Sequence, residues 1–309
     1  MSDYRSQAVT TLAARFRRQR PLRGNSLIVT VFGDAIAPRG GAVTLGSLIA
    51  LTAPFGLSER LVRTSVGRLA DDGWLASRRA GRLSEYRLSQ EGQTRFEEAT
   101  RRIYGVPGRD WSGRWTLVLL PGASGTRRER ARRALGWAGF GEIAPGVYAH
   151  PTIAPEAAEA ERQRSRALGD ALVLGLGAAT DPIHRRLAAL GWDLEALAAR
   201  YRRFVAAFEP ALAELKRRGR PQPAAAFVLR TLLIHEYRRI HLRDPLLPEA
   251  LLPPQWVGTT AYRLCRTLYG RIVTAAEEHV GSIAARFDGP LPAAGRELAL
   301  RFGGVASGS

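Results

Sequence analysis

The sequence predicts an α+β fold made of consecutive parts with different residue patterns. Short amphipathic segments that end at glycine or proline come first, and strand-forming residues around an arginine-rich turn follow them. Strand-like and helix-like segments then alternate, and helical periodicity dominates from Asp181 onward. These changes predict domains at 1–106, 107–180 and 181–309, of which the last is α-helical.

The charge of the chain indicates a polyanionic partner. Lysine and arginine number 46 against 28 aspartate and glutamate residues, which gives a formal net charge of +18. Such an excess attracts nucleic acids, although some basic proteins bind none.

Cysteine content and hydropathy predict a cytoplasmic protein that binds no membrane. Cys265 is the single cysteine, so neither an internal disulfide nor a cysteine-rich zinc site can form. Apolar runs stop well short of the ~20 residues that span a bilayer, and no export signal precedes them.

Three helices are predicted after an arginine-rich lead-in helix within 1–23. Ser26 is the expected N-cap of the first, which ends by Pro38. The second covers about 45–53. Ser58 caps the third, which runs to about residue 72 and is closed by Gly73.

The third helix has one apolar face and one arginine-bearing face. A helical wheel groups four apolar side chains and one serine on one face: Leu61, Val62, Ser65, Val66 and Leu69. The opposite face carries Arg60, Arg63, Thr64, Gly67 and Asp71. Guanidinium groups, a hydroxyl and a glycine that permits close approach suit a helix in a DNA major groove.

A β-hairpin with a basic tip is predicted directly after this helix. Strand-forming residues flank the turn Arg78-Arg79-Ala80-Gly81-Arg82. An arginine-bearing helix alone is usually only a solvated surface, but the helices and the hairpin together indicate a winged helix-turn-helix. The predicted DNA-binding residues are Arg60, Arg63, Thr64, Gly67, Arg68, Arg78, Arg79 and Arg82.

The middle of the chain predicts a small ferredoxin-like sandwich. An exit helix at 91–104 ends before the glycines and proline of 105–108. Strands are predicted at 115–120, within 141–149 as one strand or a hairpin, and at 170–176; helices lie between them at 127–138 and 155–168. Helices follow at 182–190, 194–216, 224–242 and 259–280, with an extended connection at 244–256 and a frayed tail at 305–309.

Short motifs along nearly the whole chain carry a family resemblance. The N-terminal part contributes Gly33-Asp34, Arg39-Gly40-Gly41, Gly46-Ser47-Leu48, Glu59-Arg60-Leu61-Val62-Arg63-Thr64, Gly73-Trp74-Leu75 and Tyr86-Arg87-Leu88. The later part contributes Gly113-Arg114-Trp115, Gly139-Phe140-Gly141, Tyr237-Arg238-Arg239, Asp244-Pro245-Leu246-Leu247-Pro248 and Arg301-Phe302-Gly303-Gly304. With these motifs the chain resembles the PaaX-type repressors of phenylacetic-acid catabolic genes.

The resemblance implies a homodimeric repressor with a winged helix, a middle domain similar to the Cas2 fold and a helical C-terminal domain. It also implies release from double-stranded operator DNA by phenylacetyl-coenzyme A or a related acyl-CoA. The wing residues Arg78-Arg79-Ala80 are more basic than the family pattern, and Gly67 replaces a bulkier residue. The operator and the effector therefore stay open.

Two groups of residues are candidates for binding the effector. Arg238, Arg239 and Arg243 lie near His235 and Trp256 in sequence, and their guanidiniums suit coenzyme A phosphates. Alternatively these arginines pair with Glu236, Asp244 or Glu249. The pocket could equally lie against the middle domain at Trp111, Arg114 and Trp115.

No catalytic residue, cofactor or metal site is predicted. His235-Glu236 begins like a zinc-protease motif, but Arg239 stands where the second histidine is required. A nucleic-acid-processing enzyme of Cas2-like type is the alternative function, yet 117–121 offers no carboxylate for a catalytic metal. An acyl-CoA-handling enzyme would need a nucleophile and a base, and no such pair can be named.

Overall fold

The computed structural model describes residues 6–22, 24–108, 111–122, 124–177 and 181–304. It mixes helix and strand, as predicted. Contacts group the chain into two compact units: Met1–Val106 with Tyr201–Leu242 and Thr260–Ser309, and Pro107–Arg200 with Arg243–Thr259. The two units meet in sequence after residue 106, where the sequence also predicts a boundary. After residue 200 some segments belong to the first unit and others to the second. The three-domain division of the sequence stays a prediction.

The first unit begins with the helices of the N-terminal part. They are α1 (Gln7–Arg17), α2 (Gly24–Val31), α3 (Leu45–Thr52), α4 (Glu59–Asp71) and α5 (Gln90–Tyr104). Ser6 caps α1 by accepting a hydrogen bond from the Val9 amide. One expectation is wrong: Ser26 lies inside α2 and is not its N-cap, because its hydroxyl instead accepts a hydrogen bond from Arg238 at 2.9 Å.

A three-stranded antiparallel sheet accompanies these helices. Its strands are β1 (Ala42–Thr44), β2 (Leu75–Ala80) and β3 (Leu83–Leu88), in the order β1-β3-β2. β2 and β3 form the predicted hairpin, and Gly81 adopts the positive φ of 58° that its tight turn requires. The register places Arg78 and Thr44 on either side of Glu85.

The second unit contains a four-stranded antiparallel sheet in the order β5-β6-β4-β7. Its elements are β4 (Trp115–Leu119), α6 (Gly125–Trp137), β5 (Gly141–Ala144), β6 (Val147–His150), α7 (Pro155–Arg164), β7 (Leu172–Leu176) and α8 (Asp181–Gly191). The βαββαβ sequence up to β7, with β4 inside the sheet, is that of a ferredoxin-like sandwich. Residues 141–149 form a hairpin, one of the two predicted alternatives.

The last third of the chain is mainly helical, as predicted. It comprises α9 (Leu194–Arg218), α10 (Pro223–His241), α11 (Val257–Ile283), the short strands β8 (Ala285–Arg286) and β9 (Gly289–Pro290), and α12 (Arg296–Leu300). Most of α10 is buried, and in the first unit it packs against α1, α2 and α5. The β8–β9 hairpin was not predicted, and the predicted tail at 305–309 lies outside the described residues. Within the described ranges, no helix is long and apolar enough to cross a bilayer.

Candidate nucleic-acid interface

Helix α4 divides into a buried face and a solvent face. The Ser58 hydroxyl starts the helix by accepting a hydrogen bond from the Leu61 amide at 3.2 Å. Val62, Val66 and Leu69 are buried on the side that faces the first unit's core, where α4 contacts α2 and α3. The Ser58 cap and the spacing of the apolar residues determine which side chains of α4 face solvent. Both features can be seen in the sequence.

The outer face of α4 carries the predicted reading residues. Arg60, Arg63, Thr64 and Arg68 are exposed. Apart from the flanking residues and the backbone of α4 itself, no atom of the described residues lies within 4 Å of the position that a Cβ on Gly67 would occupy, so the helix surface is open there. Guanidiniums of this kind can form paired hydrogen bonds to guanine or to phosphate oxygens.

Arg63 is held by a carboxylate that a ligand could displace. Its guanidinium contacts Glu59 Oε1 at 2.6 Å, and both side chains are more than half exposed. Exposed ion pairs one helical turn apart contribute only about 0.3–0.5 kcal/mol, so exchange of this carboxylate for a phosphate costs little. The pair orients Arg63 in the free protein without blocking it.

The hairpin tip carries three exposed arginines, Arg78, Arg79 and Arg82. Side chains alternate along a strand, so Arg78 and Arg79 lie on opposite faces of the sheet. The Arg78 guanidinium lies over the ring of Phe287, 5.0 Å from its centroid. The hairpin therefore presents cationic groups on both faces and at the turn.

A buried ion cluster in the first unit was not predicted from the sequence. Asp34 Oδ2 accepts from Arg230 Nε at 2.6 Å, and Oδ1 accepts from Arg301 at 2.7 Å and from Tyr104 at 2.7 Å. Burial by itself would raise the pKa of Asp34, but the charges of Arg230 and Arg301 and the Tyr104 hydrogen bond lower it below its usual value. Asp34 is therefore a stable carboxylate.

The same cluster continues to Glu277 on α11. Arg230 donates to Glu277, which also accepts from Arg39 Nε at 2.9 Å. The bonds of the cluster connect the segment between α2 and β1 with α10, with α11 and with Arg301, which follows α12. The available signal was Arg230 itself, because an arginine within the largely apolar run 226–234 of α10 requires a buried partner.

Three of the predicted effector residues lie on α10 in the first unit. Arg238 Nε donates to the Thr30 hydroxyl at 2.8 Å, and His235 Nδ1 lies 3.1 Å from the same oxygen. Burial lowers the pKa of Arg238 to about 10. Arg239 pairs with Glu236 at 3.2 Å, which is the structural alternative considered for it. These contacts join α10 to α2, and an effector role for the three residues stays a prediction.

The other predicted effector residues belong to the second unit, and two of them line a cavity. Trp111 and Arg114 border a cavity of about 290 Å³ together with Trp115, Ile153 and Pro155. The Trp111 indole donates to the carbonyls of Arg114 and Pro151 at 3.0 and 2.9 Å, and its ring meets Trp115 edge to face at 5.8 Å. These bonds hold the aromatic walls in place.

Arg243 and Trp256 are in the second unit but do not line this cavity. Arg243 is exposed and Trp256 is half-buried. The structure thus gathers Trp111 and Arg114 around one cavity and places His235, Arg238 and Arg239 along one helix. Among the described residues, no group of three or more histidine, cysteine, aspartate or glutamate side chains could hold a metal ion.

Comparisons with known proteins cover most of the chain. Residues 23–92 match the family model of the PaaX-like protein, residues 108–174 match the PaaX protein central Cas2-like domain, and residues 192–282 match the PaaX-like protein C-terminal domain. The transcriptional repressor PaaX of Escherichia coli (strain K12) is 37% identical over 294 residues, which cover 92% of each chain. A solved structure of an uncharacterized protein from Mycobacterium tuberculosis has 23% identity and a TM-score of 0.49, and the match covers 75% of this chain and 89% of that one.

Proposed function

The chain belongs to the PaaX family of transcriptional repressors, and we propose that it represses phenylacetate-type catabolic genes by binding their operator DNA. Family membership favours a regulator that is not an enzyme and does not favour the nucleic-acid-processing alternative. We place its action in the cytoplasm, where its operator DNA is found.

Helices α3 and α4 with the β2–β3 hairpin serve as the winged helix-turn-helix of this proposal. The observation that carries it is the two-sided character of α4, whose apolar residues are buried while Arg60, Arg63 and Thr64 face solvent. In our proposal α4 enters the major groove, where the open surface at Gly67 permits close approach to base edges. Arg79 and Arg82 of the hairpin then contact flanking phosphates.

A homodimer would present two copies of α4 to one operator. Two-fold symmetry of the protein then requires an inverted repeat whose half-sites are about 34–36 Å apart, one turn of the DNA helix. The net charge of +18 supports the phosphate contacts that such a complex needs.

The effector in this proposal is an aromatic acyl-CoA, which binds the second unit. The cavity beside Trp111 and Trp115 has the aromatic walls that suit a phenyl ring, and its volume of about 290 Å³ fits the acyl part but not the nucleotide. Exposed Arg114 at its border offers a guanidinium to a phosphate outside. Release from DNA requires that the effector bind the DNA-free state more tightly than the DNA-bound state.

A gel-shift titration tests these proposals together. The DNA upstream of the protein's own and neighbouring genes serves as the probe, with phenylacetyl-CoA, acetyl-CoA, coenzyme A and phenylacetate added separately. We expect specific binding that phenylacetyl-CoA relieves at lower concentration than the other three. Binding no stronger than to unrelated DNA would contradict the proposed repressor function. Equal effects of all four compounds would contradict an aromatic acyl-CoA as the effector.

Substitution at the cavity gives this experiment a matched control. Trp111→Ala removes an aromatic wall, so we expect about two- to tenfold more effector to be needed for release, with DNA affinity unchanged in its absence. Trp137 is 93% exposed in the same unit, and Trp137→Ala should leave the effector response unchanged. An unaltered response of Trp111→Ala would exclude this cavity as the acyl site.

A further inference from the structure

The segment that follows α11 is attached to α3, to the residues before β1 and to strand β3 of the basic hairpin. The Ser47 hydroxyl accepts a hydrogen bond from the Ala285 amide at 3.0 Å, and Arg39 donates to the Pro292 carbonyl at 2.8 Å. Between these points the Phe287 amide donates to Glu85 Oε2 at 2.8 Å. Residues 285–292 are therefore fixed to the N-terminal part of the first unit by three separate bonds.

Glu85 has a specific role in this attachment. It is the one buried residue of β3, with 4% of its surface exposed. A buried carboxylate is costly unless hydrogen-bond donors satisfy it, and the Phe287 amide supplies such a donor. The segment after α11 thus supplies a hydrogen-bond donor to a buried side chain in the middle of the hairpin.

Phe287 also contacts the residue opposite Glu85 in the hairpin. Arg78 pairs with Glu85 in the β2–β3 register, and its guanidinium lies over the Phe287 ring. A cation over an aromatic face is attracted by the ring quadrupole and loses part of its freedom to rotate. One residue from the far end of the chain therefore touches both members of this cross-strand pair.

We propose that Phe287 is a positioning residue for Arg78, so that the β8–β9 hairpin forms a functional part of the DNA-binding wing. The ring holds the guanidinium where it can meet a backbone phosphate of the operator. This inference depends on the proposed function, in which the β2–β3 hairpin binds DNA. Arg79 lies on the opposite face of the sheet, so it serves as the control arginine that Phe287 should not position.

A double-mutant cycle on the full-length protein tests the coupling of the two residues. Operator affinity and its salt dependence are measured for Phe287→Ala, Arg78→Ala and the double variant. We expect Phe287→Ala to weaken binding about two- to fivefold, to lower the salt slope, and to have no further effect once Arg78 is gone. In an Arg79→Ala background, Phe287→Ala should weaken operator binding by the same factor as in the wild type.

Two more variants separate positioning from folding. Phe287→Tyr retains an aromatic ring and should restore wild-type affinity, whereas Phe287→Leu fills the space without a ring and should behave like Phe287→Ala. Wild-type operator affinity for Phe287→Leu would overturn the proposal. So would an equal loss of affinity on Phe287→Ala substitution in the wild type and in the Arg78→Ala background.

The outcome also distinguishes the two proposals from each other. If the wild type binds its operator and Arg82→Ala weakens that binding, but the cycle is additive, the wing proposal survives and the role of Phe287 is refuted. If neither Arg82→Ala nor Arg78→Ala affects binding, the DNA-binding wing itself is refuted.

Discussion

The Asp34 carboxylate and the Arg230 guanidinium form a buried ion pair with 2.6 Å between Oδ2 and Nε. Their side chains are 3% and 0% exposed. Asp34 follows α2, the helix on which α4 packs, and Arg230 lies in the middle of α10. The pair therefore fixes the N-terminal helices of the first unit to the helices that come after residue 200.

Loss of Arg230 should destabilise the first unit strongly. Arg230→Leu leaves Asp34 and Glu277 without their shared partner, and removal of one member of a buried pair typically costs about 3–5 kcal/mol. We expect that decrease in the free energy of unfolding, measured by urea denaturation. Glu59→Gln breaks the exposed pair with Arg63 and should cost less than about 1 kcal/mol. Similar values for the two variants would show that the cluster adds no stability.

The lowered pKa of Asp34 predicts a loss of stability in acid. A carboxyl group whose pKa is lower in the folded than in the unfolded state stabilises the fold above the unfolded value of about 3.9. That contribution disappears as the pH falls through the lower folded pKa. The free energy of unfolding should therefore decrease more steeply between about pH 6 and pH 2 for the wild type than for Asp34→Asn. Parallel curves would mean that Asp34 titrates alike in both states.

How far the sequence determines the structure differs between these elements. Helix α4 and the β2–β3 hairpin could be predicted because their signals are local: the Ser58 cap, the apolar spacing and Gly81 lie within the elements that they define. The cap assigned to Ser26 was wrong because a partner more than 200 positions away, Arg238, takes its hydroxyl. Tertiary contacts override a local preference in such cases.

The ion cluster and the attachment of the β8–β9 hairpin were not predictable for the same reason. Asp34 and Arg230 are 196 positions apart, and Glu85 and Phe287 are 202 apart. A single sequence contains no periodicity that relates such residues. It can only show that Asp34 and Arg230 are charges in apolar surroundings, which indicates a buried partner without identifying it.

Arg63 and Arg82 should affect DNA binding in different ways. Arg82→Ala removes a phosphate contact, so affinity should fall alike for all sequences and the salt slope should decrease by about 0.9. Arg63→Ala should also relax base preference at one position, with a loss of about 1–3 kcal/mol on the preferred operator. Binding to a panel of single-base operator variants at several salt concentrations measures both effects.

Arg133→Ala is the matched control for this pair. Arg133 lies on α6 in the second unit, is 73% exposed and pairs with Glu129. Its removal changes the net charge by the same amount as the other two substitutions, but it should leave the salt slope and base preference unchanged. If all three variants behaved alike, binding would follow overall charge, and the assignment of α4 and the hairpin would be wrong.

Gly67 should be a position at which fold stability and DNA binding respond in opposite directions. Glycine inside a helix costs about 0.5–1 kcal/mol relative to alanine, and the space around a Cβ at this position is empty. Gly67→Leu should therefore raise the thermal unfolding temperature while it weakens operator binding on the order of tenfold, because the side chain occupies the surface that approaches the bases. Gly136 in α6 has equally open surroundings, so Gly136→Leu should leave operator binding unchanged. Wild-type operator affinity for Gly67→Leu would mean that this face of α4 does not approach the bases closely.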